Sequence, residues 1–385
     1  MEIKKTGTGV CLDGFSAGGI KEGKYGVAII AGKKPCRAAA VFTTNTMKAA
    51  PILVTMKKVA KGEVQAVIAN SGNANACVAG GLEDAKKMCE IAAKKLGISP
   101  EKVAVASTGI IGRKIDLAVI EKLADKASKG LSSSPEGSTN AARAIMTTDT
   151  KEKQLSFEYK GVELGGICKG SGMIAPNMAT MLCFITTNAD LGSADLHDCL
   201  KKSADDTFNM LVIDNDMSTN DMVLLLSSGT VKCGKDDFQF LLSHLSRELA
   251  KMMAADGEGA TKFIEVEVTG AKDKETARKA VKAIISSSLV KTAMHGENPN
   301  WGRIAAAMGS VIEYDFEKID LYFSSGKEKA AVVEKGEMKD LASARKVLKN
   351  AKIKVSVNLN SGKESAVGWG CDMTSGYIKI NAEYN

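Results

Sequence analysis

The sequence has 385 residues, of which 44% are hydrophobic and 25% are charged, and its formal net charge is +7. This length and composition are typical of one large or two ordinary globular domains and exclude disordered and fibrous proteins. The lysines are spread along the chain without a dense basic run or interleaved aromatic residues, so we expect no nucleic-acid partner. No apolar leader or membrane-spanning run is found, so we expect a cytoplasmic protein with no membrane association.

The nine cysteines are scattered, without a C-x-x-C pair or a neighbouring histidine cluster. This pattern predicts reduced, buried thiols and no metal site. Cys168 and Cys183 lie in apolar, strand-like contexts, where a thiol is usually inert, so we do not expect either to be a nucleophile.

The first part of the chain, residues 1 to about 64, has a strand-and-turn pattern with apolar runs at Tyr25–Ile30 and Cys36–Phe42. These runs predict two early strands. Gln65–Ala69 is typical of a buried strand, and Leu82–Leu96 repeats apolar residues at helical spacing. The asparagine-rich loop between them, Asn70–Asn75, either lines a pocket or satisfies the backbone of a turn.

A short strand at Val103–Ala106 ends in Thr108-Gly109 and is followed by an amphipathic helix at about 116–128. The Thr-Gly turn exposes backbone N–H groups, which are the donors that stabilise the oxyanion of an acyl-transfer intermediate. The alternative is an ordinary glycine-containing strand end.

A helix is predicted from Ser138 to Met146, capped by Ser138 or Thr139, and it leads to Thr147, Thr148 and Asp149. A hairpin then joins Gln154–Tyr159 to Val162–Cys168 across Lys160-Gly161.

The segment Lys169–Phe184 turns tightly at Gly170, Gly172 and Pro176 and then becomes an apolar strand. Thr180 opens that strand. A threonine in this position can attack the preceding carbonyl and cleave the chain, which leaves a free α-amine beside its own hydroxyl. The alternative is that Thr180 is an ordinary β-branched strand residue.

The second half begins with a predicted helix at 193–209, and strands at 210–213 and 222–226 flank the polar loop Asp214–Asp221. The spacing of the acidic residues does not fit a calcium loop, so we expect this loop to be solvated or at the edge of a pocket. A helix at 238–254, a Gly-Glu258-Gly turn and a strand at 262–268 follow.

Thr269–Lys274 is the best candidate for a domain boundary. Beyond it we predict one long helix to about Met294, a loop from His295 to Arg303, and a further mixed α/β region.

Seven segments together resemble the bifunctional ornithine acetyltransferase family of arginine biosynthesis, also called glutamate N-acetyltransferase. They occur in the family's order along the whole chain and are Asn70–Ala76, Ser107–Gly112, Met146–Thr150, Lys169–Leu182, Asp256–Thr261, Asn298–Arg303 and Ile380–Tyr384.

The resemblance implies an α/β (α+β) fold with an αββα-type layered core at 1–270 and a smaller α/β domain at 271–385. It also implies self-cleavage of the Ala179–Thr180 bond into chains 1–179 and 180–385. The two chains of such proteins stay associated, and the expected assembly is a heterotetramer of two α and two β chains.

The resemblance further implies a ping-pong reaction in which Thr180 takes the acetyl group of N2-acetyl-L-ornithine and passes it to L-glutamate. The Thr180 α-amine, with a reference pKa of about 7.7–8.0, then serves as the general base. No cofactor is expected, and acetyl-CoA is a candidate second donor. The alternatives are an aminopeptidase or amidase of related fold, with water as acceptor, and an uncleaved binding module.

Individual roles follow from the same resemblance. Thr108 and Gly109 are expected to hold the oxyanion. Asp149 is either a turn residue or a partner for the ornithine amine. Family members commonly carry a hydroxyl residue after the tyrosine, whereas this sequence has Asn385 after Tyr384. The residues expected to contact substrate are Thr147 or Thr148, Lys169, Thr180, Glu258, Asn381 and Asn385.

Overall fold

The computed structural model describes residues 2–175 and 181–383. The predicted cleavage site, Ala179–Thr180, and the predicted contact residue Asn385 lie outside the described residues.

The helices are α1 Ala50–Val59, α2 Gly81–Leu96, α3 Leu117–Lys129, α4 Pro135–Ile145, α5 Ser193–Asp206, α6 Lys235–Ala255, α7 Lys274–Ser286, α8 Ser288–His295, α9 Trp301–Gly309, α10 Leu341–Leu348 and α11 Ser375–Glu383. The strands are β1 Lys4–Lys5, β2 Phe15–Glu22, β3 Tyr25–Phe42, β4 Glu63–Ser71, β5 Val103–Ser107, β6 Lys153–Tyr159, β7 Val162–Lys169, β8 Leu182–Asp190, β9 Leu211–Val212, β10 Met222–Lys232, β11 Phe263–Ala271, β12 Asp320–Ser325, β13 Glu328–Glu334, β14 Glu337–Met338, β15 Lys352–Asn358 and β16 Glu364–Cys371.

The chain divides into two compact units. The first holds the described residues of Met1–Gly170, Asn177–Phe208 and Asp216–Leu249, and the second holds those of Ser171–Pro176, Asn209–Asn215 and Ala250–Asn385. The domain limits predicted from the sequence, 1–270 and 271–385, stay a prediction.

In the first unit, the described strands form a mixed sheet in the order β1-β6-β7-β8-β10-β3-β4-β5, with β2 paired to β3. Both faces of this sheet are buried. Along β3, Ala28 and Ile30 belong to the core that includes α4, whereas Val27 and Ile29 belong to the core that includes α2 and α3. Since successive side chains point to opposite faces, a strand buried on both sides appears as a continuous apolar run.

In the second unit, the described strands form another mixed sheet in the order β14-β13-β12-β15-β11-β16-β9. Inside this sheet, strand β11 pairs parallel with β15 and antiparallel with β16. The predicted mixed α/β class is therefore confirmed. Within the described residues, no helix combines the length and apolar character that crossing a membrane requires.

Two sequence expectations for the first part of the chain are wrong. The two early apolar runs are parts of one strand, β3, whose pairing with β4 is irregular between Ala31 and Cys36. Helix α1 was missed because its valine and threonine are typical of strands. Pro51 is nevertheless compatible with a helix, because it lies in the first turn, where an N–H is not needed.

Helix α4 begins earlier than predicted, after Ser134. Ser138 and Thr139 do not cap it, because the Ser138 hydroxyl accepts the Val10 N–H at 3.0 Å and the Thr139 hydroxyl donates to the Pro135 carbonyl at 3.0 Å.

The long helix predicted after residue 274 is two helices, α7 and α8. The chain breaks at Ser287, whose hydroxyl accepts the Val290 N–H at 3.3 Å and caps α8. The loop predicted from His295 to Arg303 is shorter than expected, because helix α9 begins at Trp301. The predicted hairpin at Lys160-Gly161 is confirmed, with both residues at positive φ.

Candidate active site

In the first unit, parallel strands β4 and β5 end side by side, and the asparagine-rich loop follows β4. The Asn70 amide donates to the Asn73 carbonyl at 2.9 Å, and the Asn75 amide donates to the Gly81 carbonyl at 2.9 Å. These bonds support the interpretation that the amides satisfy the turn backbone, and Asn70 and Asn73 also line a pocket, as the other interpretation predicted. The loop is thus bonded within itself and to the start of α2, and it lies beside the end of β5.

Thr108 and Gly109 leave β5 against this loop. The Thr108 N–H donates to the Asn70 carbonyl at 3.0 Å, so the free donor that Thr108 can offer is its hydroxyl. Gly109 has φ +131°, and a Cβ atom there would lie 2.5 Å from the Asn73 nitrogen. Only glycine fits this turn, because both the backbone angle and the close approach exclude a side chain.

We expect Gly109→Ala to lower kcat by about 10²- to 10³-fold, because the inserted methyl group pushes the turn off the Gly72–Asn73 backbone and displaces the donors that are predicted to hold the oxyanion. Steady-state kinetics measures this effect. Gly112→Ala is the matched control, since Gly112 also has positive φ but open space around its missing Cβ. Equal losses in both variants would mean that backbone angle alone, and not the approach to Asn73, explains the effect.

Lys169 ends β7 and is 7% exposed, and its ammonium lies 3.4 Å from the Thr108 hydroxyl oxygen. The structure therefore brings two of the predicted site residues together. Leu182, two residues after Thr180 in sequence, pairs with Lys169 across the β7–β8 ladder. The Met181 carbonyl accepts the Met222 N–H at 2.9 Å, which fixes the start of β8.

Asp149 follows α4 and is fully buried with Lys153, whose ammonium lies 2.7 Å from its carboxylate. That carboxylate also accepts the Gly170 N–H at 2.7 Å and the Thr147 N–H at 3.0 Å. Burial by itself raises the pKa of Asp149, but the charges of Lys169 and Lys153 lower it to about 2. These bonds favour the turn interpretation of Asp149 over that of an ornithine partner.

Thr147 and Thr148 are both half-buried beside Asp149, so both remain candidates for the substrate-contacting threonine. Cys168 and Cys183 are buried, and burial raises the pKa of the Cys168 thiol to about 12 and that of Cys183 well above its usual value. Neither thiol forms a thiolate at neutral pH, so neither suits nucleophilic attack.

The polar loop before β10 was predicted to be solvated or at a pocket edge, but its residues Ser218–Asp221 are buried. The Asn220 amide donates to the Ala74 carbonyl at 2.6 Å and to the Ser107 carbonyl at 2.9 Å. It joins the asparagine-rich loop to the residue before Thr108. Sequence reasoning missed Asn220, because the only available signal was its place in a polar loop between two apolar strands.

In the second unit, Glu258 is 9% exposed, and its carboxylate accepts the Asn381 amide N–H at 2.7 Å. Two residues expected to bind substrate are thus in contact. The Glu258 backbone N–H donates to the Ser171 carbonyl at 2.8 Å, and the carboxylate lies over Gly172. A Cβ at position 172 would fall well inside contact distance of the Glu258 carboxyl group.

We therefore expect Gly172→Ala to displace the Glu258 carboxylate with little loss of stability, since the group that must move is the end of a flexible side chain. The expected result is a rise of about tenfold in KM for a cationic substrate, with an almost unchanged melting temperature. Kinetics and thermal unfolding together measure this. An unchanged KM would contradict the proposed position of Glu258 in the substrate site.

The profile of the ArgJ family matches residues 13–385. This chain belongs to the ArgJ family. A glutamate N-acetyltransferase of Methanosarcina acetivorans is 47% identical, with 99% of this chain and 100% of the relative covered. An arginine biosynthesis bifunctional protein of Archaeoglobus fulgidus is 44% identical, with 100% of each chain covered. The ornithine acetyltransferase of Mycobacterium tuberculosis, whose structure was solved with ornithine, is 34% identical, with a TM-score of 0.44, and the match covers 46% of this chain and 99% of that chain.

The family predicted from the seven sequence segments is therefore confirmed. The assignment to the ArgJ family covers the segments that carry Thr108, Lys169, Thr180, Glu258 and Asn381.

Proposed function

We propose that this ArgJ-family protein transfers the acetyl group of N2-acetyl-L-ornithine to L-glutamate. The observation that carries the proposal is the match over 99% of the chain to a relative named glutamate N-acetyltransferase, joined by relatives named as bifunctional arginine-biosynthesis proteins. The aminopeptidase or amidase alternative is not favoured by these relatives.

We propose Thr180 as the nucleophile, after cleavage of the Ala179–Thr180 bond. Its hydroxyl attacks the Ala179 carbonyl, and as the ester forms the C–N bond breaks and the nitrogen takes up the proton as the new α-amine. Water then hydrolyses the ester and releases the Ala179 carboxylate and the free Thr180 hydroxyl. With a reference pKa of about 7.7–8.0, that amine can take the hydroxyl proton during acetyl transfer. Support comes from the fixed start of β8, where Met181 is bonded to Met222 and Leu182 pairs with Lys169.

In the acyl-transfer step, the developing oxyanion requires donors that are already in place. We propose that the Thr108 hydroxyl and the Gly109 turn supply them, since the Thr108 N–H is already bonded to Asn70. Lys169, 3.4 Å from that hydroxyl, is a buried cation suited to a substrate carboxylate.

Glu258 is the residue we propose for the cationic amine of ornithine, and its carboxylate is held by Asn381. Thr147 or Thr148 and Asn385 complete the proposed set of contacts.

The remaining properties are proposals as well. The reaction needs no metal or redox cofactor, because the nucleophile carries its own base, and acetyl-CoA is a candidate second donor. We propose a heterotetramer of two α and two β chains in the cytoplasm, a compartment that suits nine cysteines without a disulfide among the described residues.

The deciding experiment mixes the purified protein with N2-acetyl-L-ornithine and isotope-labelled L-glutamate. The expected products are labelled N-acetylglutamate and free ornithine in equal amounts. Release of acetate without acetylated glutamate would instead indicate the hydrolase alternative. Replacing acetylornithine with acetyl-CoA tests the second donor in the same assay.

A further inference from the structure

The segment that precedes the proposed cleavage site is held by one carboxylate in the second unit. Asp214 accepts the Met173 N–H at 2.5 Å with one oxygen and the Ile174 N–H at 2.7 Å with the other. The Tyr377 hydroxyl donates to the first of these oxygens at 3.2 Å. Two successive N–H groups and a hydroxyl thus donate to a single carboxylate. Hydrogen bonds to a carboxylate are charge-assisted and stronger than those between neutral groups.

Met173 has φ +54°, a left-handed backbone conformation that costs energy in a residue other than glycine. Such a conformation persists only where neighbouring bonds enforce it, and the Asp214 carboxylate supplies a bond to that residue and to the next. The Ile174 carbonyl also accepts the Ile213 N–H at 2.7 Å. The segment 171–174 is therefore fixed in one conformation by residues 213 and 214.

This segment forms part of the surroundings of Glu258. The Ser171 carbonyl accepts the Glu258 N–H at 2.8 Å, and the absent side chain of Gly172 leaves the space that the Glu258 carboxylate fills. A change in the path of residues 171–174 therefore moves both the backbone and the carboxylate of Glu258.

Cleavage between residues 179 and 180 would place this segment and Asp214 on different chains. Ile174 would then be five residues from the new C-terminus of the first fragment, whereas Asp214, Glu258 and Tyr377 would belong to the second. Once the covalent connection is lost, the position of the segment depends on its non-covalent bonds, of which Asp214 makes two.

We propose that Asp214 is a positioning residue that holds the end of the first fragment in place, so that both fragments together build the Glu258 subsite for the cationic amine of the substrate. Asp214 acts through Glu258 and does not itself touch the substrate. This inference rests on the function proposed above.

The test compares Asp214→Asn with wild type. An asparagine has one acceptor oxygen, so it satisfies only one of the two N–H groups and turns its own amide N–H toward the other. We expect KM for N2-acetyl-L-ornithine to rise about tenfold or more, with a much smaller change in kcat and with self-cleavage intact. Asp216→Asn, at an exposed carboxylate of the same loop, is the matched control and should leave both constants unchanged.

The coupling to Glu258 is measured with Glu258→Gln and the double variant. If Asp214 acts through Glu258, the KM increase from Asp214→Asn largely disappears when Glu258 is already glutamine. Additive effects, or a fall in kcat at unchanged KM, would overturn the inference. If Asp214→Asn does not fold, Tyr377→Phe replaces it in the same comparison. A KM that rises in Tyr377→Phe but not in the Glu258→Gln background supports the inference. An unchanged KM in Tyr377→Phe overturns it.

Failure of the proposed function gives a different result. A wild-type protein that transfers no acetyl group contradicts the function itself, whereas an active wild type with uncoupled Asp214 and Glu258 contradicts only the role of Asp214.

Discussion

The Thr180→Ala variant is expected to remain a single chain and to lose acetyl transfer, whereas wild type separates into fragments 1–179 and 180–385. The reason is that one hydroxyl is proposed for both reactions, first as the attacker of the Ala179 carbonyl and then as the acceptor of the acetyl group. Removal of a nucleophile that works together with its base lowers kcat on the order of 10⁶-fold. Intact mass and the acetyl-transfer assay measure the two effects.

Thr180→Ser is the matched control, because serine keeps the hydroxyl and, after cleavage, the α-amine. We expect this variant to cleave at the same bond and to retain measurable transfer. An uncleaved Thr180→Ala chain that still acetylates glutamate at the wild-type rate would exclude Thr180 as the nucleophile. An uncleaved wild type would remove the free amine from the mechanism and favour a binding module.

Asp149→Asn is expected to destabilise the protein by about 3–5 kcal/mol, because it removes the carboxylate charge that lies 2.7 Å from the buried Lys153 ammonium. The variant also loses an acceptor for the Gly170 or Thr147 N–H, so activity should fall as well. Chemical unfolding at neutral pH measures the free energy. A loss below about 1 kcal/mol, the range of an exposed ion pair, would contradict the buried pair.

Asp125→Asn provides the matched control for charge. Lys129 and Lys95 also lower the pKa of Asp125 to about 2, but that side chain is 34% exposed, whereas the Asp149 side chain is fully buried. Solvent screens such a pair, so we expect a much smaller loss than for Asp149 despite the similar pKa.

The buried Asp149 carboxylate also predicts that the stability of the protein depends on pH. The pKa of Asp149 is about 2 in the folded protein against an ordinary value of 3.8, so the folded state favours the charged form. Its contribution, about 2 kcal/mol, is complete above pH 3.8 and is lost as the pH falls towards 2. Unfolding free energies across this window should therefore fall more steeply with decreasing pH for wild type than for Asp149→Asn.

The elements that the sequence predicted well are those whose pattern is complete within a short stretch. Strands β4 and β5 appear as continuous apolar runs because their sheet is buried on both faces. Helices α2 and α3 show helical spacing, and Asp116 caps α3 with its carboxylate bonded to the Ala118 N–H at 3.0 Å. The errors arose where local signals compete, as in α1, whose β-branched residues favour a strand.

The sequence by itself determined the family, because seven separate segments occur in family order, and it named Thr108, Lys169, Glu258 and Asn381 as site residues. The tertiary structure alone showed how those residues are held. The Asp149 carboxylate accepts the Gly170 N–H. The Asn220 amide donates to the Ser107 carbonyl, 113 positions away in sequence, and the Asp214 carboxylate accepts the Met173 N–H, 41 positions away. A local pattern reports periodicity and turn chemistry, whereas a hydrogen bond between distant residues exists only once the backbone has brought its donor and acceptor together.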